Sequence, residues 1–207
     1  MFEINSKAIQ PLDVAGCGFF LNNHFITAGH CLEGHKTFVW YNGKNHLIES
    51  NNILVCKIVI PELESNNQPD IAIIHFEDYS GPYLNYSPEI SDLKIGDEIL
   101  IGFYEHIPAK KSENGFGYEN QEDYIFKTCQ GRIINEIFQK ENAIDLDKNY
   151  YEVESEIPLR RGNSGSPLFD KEGNVIGLLT HGKGSHENSS NKLLFQKLSP
   201  FNEYIFS

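Results

Sequence analysis

The sequence predicts an all-β fold, a sandwich or barrel built from short strands. Its apolar segments are short and numerous, and rich in Ile, Val, Phe and Tyr. Turn signals (NN, NG, GPY, EGN, HGKG) separate them. No long segment carries an apolar repeat of helical period. Short strands punctuated by turn residues are the pattern of sandwiches and barrels.

Taken in order, VAGCGFFL (14–21) and HFITAG (24–29) are two apolar runs joined by Asn22-Asn23. TFVWY (37–41) is β-branched and aromatic, and an NG turn signal follows it. ILVCKIVI (53–60) is the most apolar run, and IAIIHF (71–76) follows a polar loop. The stretch from Tyr83 to Lys94 holds Pro, Asn and Ser and reads as a link between two halves. EILIGFY (98–104), YIFKTCQGRII (124–134), YYEVES (150–155), NVIGLLT (174–180) and LLFQKL (193–198) complete the strands. Residues 105–123 are polar and read as a mobile surface loop. Only SPFNEYIF (199–206) reads as helical, with Ser199 as cap and Pro200 in the first turn.

A chain of 207 residues fits one sizeable domain, 1–207, with halves at 1–88 and 95–207. A net charge of −12 argues against a nucleic-acid partner, because phosphate contacts need clustered Lys and Arg. The run at 53–60 is short and holds Lys57, so it cannot span a bilayer. The start, MFEINSKAIQ, lacks a basic region followed by an apolar one, so a cytoplasmic address is expected. Cys17, Cys31, Cys56 and Cys129 form no CxxC pair. They read as small buried hydrophobes rather than metal ligands.

The stretch RRGNSGSPLF (160–169) raises the functional question. Gly162, Asn163, Ser164 and Gly165 would suit a plain turn. As a nucleophile, Ser164 needs a base, since a serine hydroxyl barely ionises at neutral pH. That base needs a carboxylate to hold its tautomer. His30 stands in FITAGHCL, where an apolar strand ends among small residues. Asp70 stands in PDIAIIHF, where a polar loop meets an apolar strand, a boundary at which an acid can be buried. His75 reads as structural, and no catalytic role is expected for His24, His35, His46 or His106.

TAGHC (27–31), DIAI (70–73) and GNSGSP (162–167), in that order, resemble the histidine, aspartate and serine motifs of the chymotrypsin-fold serine proteases. GCGFF (16–20) resembles the strand before the histidine, and NVIGLLTHGKG (174–184) the strand lining the substrate pocket. The resemblance implies two six-stranded antiparallel β-barrels, a cleft between them, and a short C-terminal helix. It implies a serine endopeptidase with His30, Asp70 and Ser164 as triad and the backbone N–H groups of Gly162 and Ser164 as oxyanion hole. Protein or peptide substrates follow, with no metal or organic cofactor.

The GNSG form is similar to that of HtrA-type proteases and bacterial glutamyl endopeptidases. Asn163 stands where trypsin-like zymogens carry an aspartate, so maturation through a new N-terminal ammonium is not expected. By the same resemblance Pro158 forms the pocket base, Leu159 and Leu179 its walls, and Thr180-His181-Gly182 the strand that pairs with substrate. This favours an apolar residue before the scissile bond. The basic cluster of Arg160, Arg161, His181, Lys183 and His186 offers a competing preference for Glu or Asp. A Cys17–Cys31 disulfide is left open. Regulation by an activating protein partner, as in a stress or defence pathway with 105–123 as the switch, is the accompanying expectation. The alternatives are a closed, peptide-binding or scaffold use of the fold, and an esterase sharing the same chemistry.

Overall fold

The computed structural model describes residues 3–12, 16–32, 37–41, 44–48, 55–57, 69–88, 93–108, 123–139, 148–182 and 189–205. His35, Lys183, His186 and most of the 105–123 loop lie outside the described residues.

The first half contributes β1 (Ile9–Leu12), β2 (Gly16–Leu21), β3 (His24–Thr27), β4 (Thr37–Tyr41), β5 (Lys44–Ile48), β6 (Val55–Lys57) and β7 (Ala72–His75). They form a five-stranded sheet in the order β1-β2-β3-β7-β6 and a two-stranded sheet, β4-β5. The second half contributes β8 (Glu98–Ile107), β9 (Asp123–Gln139), β10 (Lys148–Arg160), β11 (Pro167–Phe169), β12 (Val175–Gly182) and β13 (Ser189–Lys197). These close into the expected six-stranded antiparallel barrel, in the order β10-β13-β12-β11-β8-β9.

Three elements depart from the sequence reading. β1 is a strand despite Pro11, because it lies at a sheet edge, where a missing N–H is tolerated. β8 runs on to Ile107 and β9 begins at Asp123, so both ends of the expected loop are strand. The C-terminal helix is a 3-10 turn, Ser199–Phe201, continued by α1 (Asn202–Ile205), and Ser199 is not its cap: Leu198 holds that position without a side-chain bond.

Two buried clusters hold the fold together. One fills the second barrel with Ile101, Ile133, Val153, Leu168 and Phe195 among others. The other joins Phe19, Phe20, Phe25 and Ile74 of the first sheet to Phe169, Val175, Phe201 and Ile205. Each such side chain removed from water contributes about 1.5–3 kcal/mol. Residues between the halves are stapled to both: Leu84 N–H donates to the Phe20 carbonyl (2.9 Å) and Val175 N–H to the Asn85 carbonyl (2.8 Å). The two halves are thereby joined through residues 84–85.

Candidate active site

β3 and β7 are paired antiparallel, with Thr27 opposite Ala72. That pairing brings the end of one strand to the start of the other, and so His30 to Asp70. After β3, the chain turns at Gly29–Leu32 in a 3-10 turn. A Cβ on Gly29 would stand 3.2 Å from Asp70 Oδ1, so the glycine lets the carboxylate approach the backbone. The carboxylate then takes two bonds from one residue. His30 N–H donates to Oδ1 (2.9 Å), and Nδ1–H donates to Oδ2 (2.7 Å). This fixes ring orientation and tautomer, leaving Nε2 without the proton.

The electrostatics follow from this pair. The hydrogen bond to Asp70, and then one to the Cys31 sulfur, push the imidazole up to about 10 against the opposing effect of burial. Burial resists ionisation of Asp70, but the bonds and charge of His30 outweigh it, and the carboxyl is held below its usual range. His181, exposed on β12, stands with its ring 5.8 Å from that of His30. Tyr150 of β10 lies beside Asp70; burial first and the Asp70 charge next push its phenol up to about 12.

Ser164 arrives from the second half on a loop that docks against β2. Cys17 N–H donates to the Ser164 carbonyl (2.7 Å), and Gly165 N–H donates to the Leu179 carbonyl (2.7 Å). The approach is tight enough to require glycine on both sides. A Cβ on Gly16 would meet the Ser164 carbonyl oxygen at 2.5 Å, and one on Gly165 the Cys17 carbonyl oxygen at 1.8 Å. Cys31, next to His30, reaches the same Ser164 carbonyl with its sulfur at 3.8 Å. The loop and the histidine are therefore neighbours. Among the described residues no hydrogen bond joins Ser164 Oγ to His30.

The turn before the serine has a defined hand. Asn163 N–H donates to the Arg160 carbonyl (3.1 Å), and Gly162 has φ +95°. Among the described residues only Asn22 is a non-glycine with positive φ, so Arg161 is ordinary. A closed turn with positive φ at its third residue alone is type II. A type I turn here would reverse the Arg161–Gly162 peptide and aim the Gly162 N–H the other way. Among the described residues neither Gly162 N–H nor Ser164 N–H has an acceptor. Both donors are thus open beside the serine.

A clamp unseen in the sequence holds that turn. Asn163, 6% exposed, accepts from Arg160 N–H at Oδ1 (2.9 Å) and donates from Nδ2 to the Tyr104 carbonyl (2.7 Å). The Tyr104 hydroxyl in turn donates to the Ile9 carbonyl (2.9 Å). A chain of bonds therefore runs from the N-terminal segment to the turn before Ser164. No motif signals Tyr104, because it acts through its backbone carbonyl.

The residues expected to bind substrate are spread differently. Leu159 and Leu179 are each 4% exposed and pack in the barrel core. Thr180 is buried and donates to the Leu194 carbonyl (3.2 Å). Pro158, His181 and Gly182 are exposed. β11 accompanies β12 only as far as Leu178, and the Ser164 loop covers Leu179. Among the described residues Thr180–Gly182 therefore have no strand partner on that edge. Cys17, Cys31 and Cys129 are buried and unbridged, so Cys17 and Cys31 form no disulfide. Among the described residues no group of three or more His, Cys, Asp or Glu could hold a metal ion, and no helix is long and apolar enough to cross a membrane.

A fold of this kind with these motifs defines a class. The family model described as Trypsin matches residues 4–205, and the chain belongs to the trypsin family of serine endopeptidases. Its fold is similar to that of the Mycobacterium tuberculosis protease Rv3671c in its active form, at 17% identity and TM-score 0.58, covering 94% of this chain and 76% of that one. It is also similar to the HtrA-type protease AlgW with a tripeptide (18% identity, TM-score 0.59), covering 95% of this chain and 58% of that longer one. The protease domain of MamO from Magnetospirillum magneticum matches at 13% identity and TM-score 0.58, with 95% of each chain covered. None of the curated proteins compared with the chain matches it.

Proposed function

We propose that Ser164, His30 and Asp70 are the catalytic triad of an endopeptidase acting on proteins or peptides. The observation that carries this is the double hydrogen bond from His30 to Asp70, beside a serine loop docked on β2. His30 Nε2 takes the proton as Ser164 Oγ attacks the scissile carbonyl carbon. The carbonyl oxygen becomes an oxyanion and accepts from the Gly162 and Ser164 N–H groups. Collapse breaks the C–N bond, and the imidazolium gives its proton to the leaving amine. Water, deprotonated by His30, then attacks the acyl-serine and releases the acid. Asp70 stays ionised and stabilises the imidazolium.

The edge of β12 at Thr180–Gly182 is the place for the acyl half of the substrate, which adds there as an extra strand. Catalytic hydrogen bonds often shorten only when substrate arrives, and an activating partner acting on the loop would have the same effect on the Ser164–His30 contact. A cytoplasmic setting is supported by the unbridged cysteines Cys17, Cys31 and Cys129, a state that a reducing compartment maintains. Cleavage of a mixture of internally quenched peptides by wild type and by Ser164→Ala tests the reading. Turnover confined to wild type supports it; equal turnover by both proteins refutes the assignment of Ser164.

A further inference from the structure

A cavity of about 730 Å³ opens beside the turn before Ser164, and Gly162 is the one lining residue that the steps above use. Its size falls within the roughly 300–1,000 Å³ usual for ligand sites. Arg160, Arg161, Gly162 and Asn163 form one wall, and Gly16 and Pro11 of the first sheet form part of another. Pro158, expected from the resemblance at the base of the other pocket, lines this cavity, whereas neither His30, Asp70 nor any residue of β12 does.

We propose that this cavity receives the leaving-group half of the substrate and selects an acidic side chain there. The proposal rests on the triad reading above. Position is the first reason. The open edge of β12 and the cavity flank Ser164 on different sides: one joins the serine loop at the Gly165–Leu179 bond, the other at Gly162 and Gly16. A peptide lying across Ser164 with its acyl half on β12 sends its amine half past Gly162, into the cavity.

Charge is the second reason. The wall carries Arg160, Arg161 and Lys127 against a single carboxylate, Glu105. Lys127 already pairs with Glu105 and, with a smaller contribution from Arg160, holds that carboxyl below its usual range. Among the described residues neither Arg160 nor Arg161 has an ion-pair partner. Two guanidinium groups without an ion pair, lining one cavity, are conspicuous in a chain of net charge −12. Guanidinium forks match a carboxylate in shape and charge. Ile157, 41% exposed on the same wall, offers apolar contact for the stem of such a side chain.

The test uses quenched peptides with one acyl half and Glu, Ala or Lys at each of the three positions after the scissile bond. Kinetics are read as the Glu-to-Lys ratio of kcat/KM within each protein, which is insensitive to a general loss of activity. Wild type is expected to favour Glu about tenfold at low salt at one of these positions, the product of two partly exposed charge contacts. The preference should shrink as ionic strength rises. Arg161→Glu and Arg160→Glu should each lower the ratio, and the double variant should bring it to one or below.

A wild-type ratio within twofold of one at all three positions, or a ratio unchanged in the double variant, overturns the proposal. So does an acidic peptide that, added separately, speeds hydrolysis of a small ester while the ratio stays at one; the cavity would then be an effector site. If the Ala peptides are cleaved by wild type but not by Ser164→Ala, the triad reading stands whatever the ratio. Cleavage of no peptide by wild type removes that reading and this proposal with it.

Discussion

Asn163→Asp changes one atom type in the clamp of the turn proposed to hold the oxyanion, and leaves its shape intact. The acceptor for Arg160 N–H survives at 2.9 Å. The donor to the Tyr104 carbonyl, at 2.7 Å, is replaced by a carboxylate oxygen that repels it. A buried carbonyl left unpaired costs about 1–3 kcal/mol. That penalty falls on the type II turn and not on its reversed form, so the Gly162 donor is presented less often. Converted at about 1.4 kcal/mol per tenfold, it predicts a fall in kcat of about 5- to 150-fold. Complete loss of one oxyanion donor, about 10²–10³-fold, sets the ceiling. The donor serves charge that develops only in the transition state, so KM should hardly move. Steady-state kinetics on an ester reporter, with the unfolding midpoint as a check on folding, reads both. A folded variant with kcat within twofold of wild type would refute the clamp and the turn assignment behind it.

The other predictions concern the base, the glycines and a histidine pair. His30 must be neutral to accept a proton and is pushed up to about 10, chiefly by Asp70, so kcat/KM should rise with pH along a limb displaced above the usual 6.5. Asp70→Asn should move that limb to lower pH while cutting the rate; a wild-type limb at or below 6.5 contradicts this. Gly165→Ala places a Cβ 1.8 Å from the Cys17 carbonyl oxygen and should undock the serine loop, whereas Gly162→Ala meets nothing within 4 Å and strains only its φ of +95°. Strain of about 1–2 kcal/mol should leave Gly162→Ala folded and partly active, while a displaced nucleophile costs about 10²-fold or more. Equal activities in the two would count against the docking. His24, 5% exposed, is held below its usual value by burial and then by His75, whose Nδ1 lies 3.2 Å from His24 Nε2. The unfolded chain therefore binds more protons as pH falls through 6.5, and stability should drop there. The unfolding midpoint of His24→Gln should depend less on pH across that window; an unchanged slope removes His24 as the cause.

The strands most legible in the sequence are those whose apolar residues face a core, such as Phe19, Phe20, Ile73 and Ile74. His30 and Asp70 were legible because each sits where such a strand meets a loop, and antiparallel pairing of the two strands does the rest. β1 escaped because Pro11 reads as a breaker unless its edge position is known. The walls expected of Leu159 and Leu179 depend on which face those residues take. Register shifts lie between Glu154 and Leu159 in β10 and between Leu179 and His181 in β12. A bulge changes which side chains face inward, and strand alternation cannot foresee it. Tyr104 and Tyr150 were invisible for a related reason. Their importance comes from β8 and β10 passing close to the turn and to Asp70, a fact of tertiary approach rather than of residue type.

The most direct measurement is covalent labelling by a fluorophosphonate probe, read by mass spectrometry of the intact chain and of its peptides. A single adduct on Ser164, lost in His30→Ala and much slowed in Asp70→Asn, is the expected result, because only a serine activated by that pair attacks phosphorus rapidly. A folded chain that takes no label, or that takes it equally in His30→Ala, would contradict a triad assembled from these three residues.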